Sequence, residues 1–79
     1  MTKFNEWEYL ITSTGIIVDV ELYYMLIEDE SGIMVRIRDE QSGWEYDLGD
    51  YPDTKECVDA VEEFREKVDK LAKFEEELF

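Results

Sequence analysis

The period of the apolar residues changes once along this chain, at Pro52, and that change constrains the fold more than any motif does. Before Pro52, β-branched and aromatic residues alternate with polar ones, the two-residue period of strands with one buried face. After it, apolar residues recur every three or four positions among Glu and Lys, the period of an amphipathic helix. Proline lacks the N–H that a central strand must donate, so the sheet pattern has to stop there. The order is sheet, then helix, an α+β architecture.

Within the first half, Ile16, Val18, Val20, Leu22, Tyr24 and Leu26 share one side of a long strand over residues 16–28. Asp29, Glu30, Ser31 and Gly32 supply turn chemistry, and Ile33, Val35 and Ile37 then alternate with Met34, Arg36 and Arg38, which makes a hairpin. A second turn over residues 40–43 leads to Trp44, Tyr46 and Leu48, alternating with Glu45 and Asp47. With residue 39 opposite residue 44, Arg38 faces Glu45, Arg36 faces Asp47, Ile37 meets Tyr46 and Val35 meets Leu48. This register satisfies charge and burial together. The first fifteen residues fit two patterns. Phe4, Trp7, Leu10 and Ile11 would line a short helix, whereas Trp7, Tyr9 and Ile11 would line a strand that turns back through Ser13, Thr14 and Gly15. The short connection available to the next strand favours the strand. The sheet is then an antiparallel meander of three or four strands.

Past Pro52, Asp53 caps a helix with Glu56 three residues on. Cys57, Val61, Phe64, Val68, Leu71 and Ala72 form a stripe over about 16 residues, roughly 24 Å, the length of about seven strand residues. One long C-terminal helix is therefore predicted to pack across one face of the sheet. Glu75 interrupts the stripe, so packing is expected to end near Ala72, with Phe74, Leu78 and Phe79 overhanging. On the polar side, Glu63/Lys67, Glu66/Lys70 and Asp69/Lys73 have the favourable acid-before-base spacing.

Seventy-nine residues suffice for a single domain, 1–79, and an apolar content of 44% is enough for it to fold. Twenty-two Asp and Glu against eight Lys and Arg, with no His, give a net charge of −14. Phosphate backbones and anionic lipid surfaces repel such a chain, which argues against direct nucleic-acid or membrane binding and for a basic protein as partner. Lack of His removes His-based catalysis, and one Cys removes disulfide frameworks and Cys-rich zinc sites. Cys57, in the middle of the helical stripe, reads as a small buried thiol. Asp47, Asp50 and Asp53 do not have EF-hand spacing, and the glycines read as turn residues. No catalytic residue, metal or cofactor is predicted, and the chain reads as a binding protein, not an enzyme. The longest apolar runs, such as residues 22–27, fall far short of the roughly 20 residues of a membrane span, so a cytoplasmic protein is expected.

Strand alternation leaves Leu10, Ile17, Tyr23, Met25, Ile27 and Met34 on the sheet side away from the helix, beside Glu6, Glu8, Asp19 and Glu21. That side is apolar enough to suggest a contact surface. Pairing residue 11 with residue 16 would set Glu8 opposite Asp19 and Glu6 opposite Glu21, gathering four carboxylates. Their repeat along a strand, about 6.7 Å, is comparable with that of phosphates along a nucleic acid. The candidate partner-binding residues are therefore Glu6, Glu8, Asp19, Glu21, Asp29 and Glu30 for charge, with Tyr23, Met25 and Met34 as apolar anchors. A solvated face that serves solubility, and cation binding by the carboxylates, remain open beside this reading.

Small size, strong acidity, a hairpin-rich sheet over residues 16–48 and an acidic helix from Thr54 together resemble phage-encoded anti-CRISPR and other nucleic-acid-mimic inhibitors. The resemblance is one of size, charge and layout, and it transfers no individual residue. It implies a role in which carboxylates occupy a groove meant for DNA or RNA on a nuclease or CRISPR effector, in the cytoplasm of a host cell. Immunity proteins for nuclease toxins are similar in composition. A different class of function, a self-associating structural or adaptor domain, would use the free sheet side or the helical overhang to close a homodimer.

Overall fold

The alternating half of the chain folds into a four-stranded antiparallel meander, and the remainder into one helix laid across it. The computed structural model describes residues 3–78; Phe79, assigned to the overhang, lies outside the described residues. Strands β1 (Glu8–Ser13), β2 (Val20–Asp29), β3 (Gly32–Asp39) and β4 (Glu45–Tyr51) follow one another in the order β1-β2-β3-β4, and α1 (Thr54–Leu78) covers one face. Leu22, Leu26, Ile33, Val35 and Ile37 from the sheet bury against Cys57, Val61 and Val68 from the helix, as the two periods predict. The helix starts where its cap requires: the Glu56 N–H donates to Asp53 Oδ1 at 2.9 Å. Cys57 is fully buried, and desolvation, followed by the nearby charges of Asp53 and Glu56, pushes its thiol pKa up.

The central hairpin closes through Glu30 and Ser31, with Asp29 opposite Gly32. Asp29 Oδ1 accepts both the N–H and the hydroxyl of Ser31 at 2.9 Å. Gly32 has φ of +149°, and a Cβ there would stand 2.5 Å from the Tyr51 carbonyl oxygen, so the hairpin tip presses against the end of β4. Between β3 and β4 the predicted partners Arg38/Glu45, Arg36/Asp47 and Ile37/Tyr46 are opposite one another. The register then shifts, and Val35 faces Gly49 instead of Leu48. Leu48 is the extra residue of a β-bulge, which strict alternation does not anticipate.

The first strand pair departs further from the expected register. Ile11 lies opposite Leu22, Thr12 opposite Glu21 and Glu8 opposite Tyr24, so neither Glu8/Asp19 nor Glu6/Glu21 forms. A bulge between Tyr9 and Ile11 turns Leu10 inward, where it is 2% exposed, instead of onto the uncovered face. The freed Leu10 carbonyl accepts a hydrogen bond from Arg65 Nε of the helix at 3.0 Å. Tyr9 faces outward while Ile11 packs against the core, so the single face assigned to both is split by the same bulge.

β2 begins at Val20, not Ile16, because the preceding amides are taken by the helix. The N–H groups of Ile16 and Val18 both donate to the Glu75 carboxylate, the latter at 3.1 Å. Residues 14–19 form a loop, and Ile17 sits in it, 58% exposed, not on the sheet. Packing of the helix therefore runs past Ala72: Glu75, which interrupts the apolar stripe in sequence, is 7% exposed in the structure. Gly15 allows the approach, since a Cβ there would lie 2.9 Å from the Glu75 carboxyl carbon.

Candidate functional site

The carboxylates sort by the company they keep. Lys3, Arg36, Arg38, Lys55, Arg65, Lys67 and Lys73 are all engaged in ion pairs with acidic neighbours. Of the three expected helical pairs, Lys67–Glu63 (3.5 Å) and Lys73–Asp69 (2.9 Å) form, while Lys70 makes no ion pair among the described residues. Most of the remaining acids have no cation beside them, and the fold gathers many of them at the two ends of the sheet.

At one end, the hairpin tip carries Glu28, Asp29 and Glu30, and Asp50 comes from β4 opposite Met34. The bulge at Leu48 is what brings Asp50 to this position, since an unbroken register would pair Met34 with Gly49. Asp53 and Glu56 begin the helix close by, and Lys55 is already held by Asp59 at 3.4 Å. Hydrogen bonds from the Ser31 hydroxyl and N–H hold the Asp29 carboxyl below its usual range. Asp50 is pushed the other way, first by desolvation and then by the charges of Asp29 and Asp47.

At the other end, Asp19, Glu21 and Asp39 meet where the two remaining loops converge, beside Glu40, which is paired with Arg38 at 3.1 Å. Glu21 N–H donates to Asp39 Oδ1 at 3.1 Å, Glu40 N–H to the Glu21 carbonyl at 2.9 Å, and Gln41 Nε2 to Asp19 Oδ1 at 3.2 Å. The ten residues of β2 separate the two ends by roughly 33 Å. The predicted charge set is therefore divided. Asp29 and Glu30 belong to the hairpin tip, and Asp19 and Glu21 to the opposite end. Glu8 stands on the edge strand, and Glu6 is paired with Lys3 at 3.6 Å.

Between the two ends lies the sheet face away from the helix. Tyr23, Met25 and Met34, the predicted anchors, do share this face, together with Ile27. Tyr9 stacks edge-on against Tyr23 with ring centroids 5.9 Å apart, and the Arg38 guanidinium lies 5.8 Å from the centre of the Trp7 ring. Arg36–Asp47 (3.1 Å) and Arg38–Glu45 (3.8 Å) neutralise the middle of the face. The Tyr23 hydroxyl donates to Glu21 Oε2 at 3.4 Å, and the charge of Glu21 raises its pKa. This face is thus a largely self-compensated aromatic and methionine surface, with surplus acidic charge toward either end.

On the helix side, a groove of about 380 Å³ opens between α1 and the β3–β4 turn. Trp44, 70% exposed, and Leu71, 56% exposed, form part of its walls. Leu71 thus sits at the rim of the core instead of within it. Sequence periodicity had no means of finding this groove, because it arises where the helix leaves the end of the sheet uncovered.

No family model, curated protein or solved structure matches the chain. No helix among the described residues is long and apolar enough to cross a membrane, and no cluster of three or more Cys, Asp or Glu among them is arranged to hold a metal ion.

Proposed function

We propose that this chain is an acidic inhibitor that binds the basic nucleic-acid-handling surface of a nuclease or CRISPR effector in the cytoplasm, in place of DNA or RNA. The observation that carries the reading is the separation of charge: seven of the basic side chains are consumed in ion pairs, and the acids left over concentrate at two ends of a rigid sheet. Surplus negative charge accelerates encounter with a cationic cleft by about one to three orders of magnitude at low salt, while the aromatic and methionine surface between the ends supplies residence. Carboxylates along the hairpin tip present acceptors without the sugar-phosphate chain, and the antiparallel ladder fixes their spacing.

The test is direct. The purified chain should block DNA cleavage by a basic nuclease or CRISPR effector, lose that effect as salt rises, and be displaced by excess DNA. Inhibition that ignores salt and DNA, or absence of inhibition across such a panel at low ionic strength, removes the reading. One observation favours a second reading: Phe74 and Leu78, together with Leu71, are each more than half exposed along the end of the helix, an arrangement that supports a homodimer. A molar mass by light scattering of twice the chain at micromolar concentration, without inhibition of any basic partner, would favour self-association.

A further inference from the structure

The groove between the helix and the β3–β4 turn combines features that the charge distribution alone does not explain. Its walls are apolar or aromatic, with Val20, Trp44, Tyr46, Phe64 and Leu71 among them, yet Asp39 also lines it. Burial pushes the Asp39 carboxyl up, but the N–H of Glu21, the Ser42 hydroxyl and the amides of Gln41 and Ser42 outweigh it, so the group stays ionised. All of these donors are neutral. Among the described residues no cation lies within 4 Å of Asp39. Lys67, on the helix between Phe64 and Leu71, is held by Glu63 at 3.5 Å, and Lys70 points about 200° around the helix from Val68. A full negative charge is thus fixed on the wall of an apolar groove beside an indole that is 70% exposed.

We infer that this groove receives an arginine side chain from the basic partner, with its methylenes along Val20, Phe64 and Leu71 and its guanidinium against the Trp44 face and Asp39. The chemistry selects this occupant. An apolar ligand would strip the remaining water from a carboxylate that has neutral donors but no counter-charge, which is costly, and an anion would be repelled by it. A long cationic side chain satisfies both the walls and the charge. Arginine suits them better than lysine, because its planar, weakly hydrated head stacks on aromatic rings while it hydrogen-bonds a carboxylate. The volume of the groove is ample for one such side chain, and its open side admits the chain that bears it. The inference rests on the cationic partner of the preceding reading and assigns that partner a specific point of attachment away from the hairpin tip.

A nona-arginine peptide is a suitable probe, with nona-lysine for comparison. Titration into the ¹⁵N-labelled chain should shift the Trp44 indole N–H and the Val20 and Leu71 amides saturably. The Trp7 indole, on the other side of the sheet, should move far less. Trp44→Ala should weaken nona-arginine binding about tenfold, a change of about 1.4 kcal/mol, with its thermal midpoint unchanged because the ring is mostly in solvent. Asp39→Asn should weaken it as well and reduce the preference for arginine over lysine. Peptide shifts confined to residues 28–30 and 50, or equal affinity of the parent and both variants, would overturn the assignment. The two proposals fail separately. Undiminished inhibition of a nuclease by Trp44→Ala rejects the groove and keeps the inhibitor, whereas arginine binding in the groove without inhibition of any basic nuclease keeps the groove and rejects the inhibitor.

Discussion

The buried carboxylate of Glu75 and the exposed pair Asp29/Asp50 represent two opposite uses of the same functional group. Glu75 is surrounded by donors: the Val18 amide is the strongest influence on it, and together with Ile17 and Ile16 it overcomes desolvation and holds the carboxyl below its usual range. Asp50 is desolvated and faces the charges of Asp29 and Asp47, so its carboxyl is raised. The first arrangement binds a loop to a helix and serves the fold. The second holds like charges together, which costs stability. Charge counting treats all 22 acids alike, and the local donors are what divide them.

The largest expected effect breaks the first arrangement. Glu75→Ala leaves the Ile16 and Val18 amides without acceptors in a part-buried setting, and the thermal midpoint should fall by an amount on the order of 10 °C. Hydrogen exchange at residues 16 and 18 should accelerate in the same variant. A midpoint within a degree of the parent would mean that the clamp is incidental. Gly15→Val, which pushes a side chain into the same carboxylate, should move both observables in the same direction but less.

The second arrangement is probed by charge reversal. Asp29→Lys with Glu30→Lys should weaken binding to a basic partner by about tenfold at low salt and flatten its salt dependence; it also removes the acceptor of the Ser31 N–H and hydroxyl, so the thermal midpoint should fall slightly. The corresponding pair Asp19→Lys and Glu21→Lys tests the opposite end of the sheet. Equal losses from the two double variants would indicate a footprint that spans the sheet, and a loss from one alone would confine the contact to that end.

The smallest effects are in the pH dependence, where the two groups have opposite signs. The folded value for Glu75 lies below its unfolded one, so its contribution is present above about pH 4.3 and is lost as the pH falls through the folded value. The folded value for Asp50 lies above its unfolded one, so its contribution is present below about pH 3.9 and is lost as the pH rises through the folded value. Glu75→Gln should flatten the loss of thermal stability between about pH 5 and pH 3. Asp50→Asn should raise the midpoint at neutral pH and by less in acid. A steeper acid transition in Glu75→Gln, or a lower midpoint for Asp50→Asn at neutral pH, would show that the two carboxylates have been assigned the wrong roles.

Much of the architecture is legible in the sequence alone. Alternation and turn residues located the central hairpin, and the Arg36/Asp47 and Arg38/Glu45 pairs set the register of β3 against β4 because both charge and burial demanded it. The helix, its Asp53 cap and the buried Cys57 followed from periodicity and capping chemistry. The candidate site was less legible. Tyr23, Met25 and Met34 do share a face, but the cluster of Glu6, Glu8, Asp19 and Glu21 does not assemble, because the bulge at Leu10 and the late start of β2 move every partner.

What the sequence determined by itself is whatever repeats along the chain: the two periods, the charge excess and the cross-strand pairs that allow only one register. What only the tertiary structure decided arises from single interactions between distant residues. Glu75 reaches the amides of Ile16 and Val18 across more than fifty residues, Arg65 takes the Leu10 carbonyl at the first bulge, and the second bulge delivers Asp50 to the hairpin tip. The reason is physical. A periodic burial pattern is encoded at every residue and survives local error, whereas a bulge or a buried carboxylate is specified by one contact whose partner comes near only after the chain has folded.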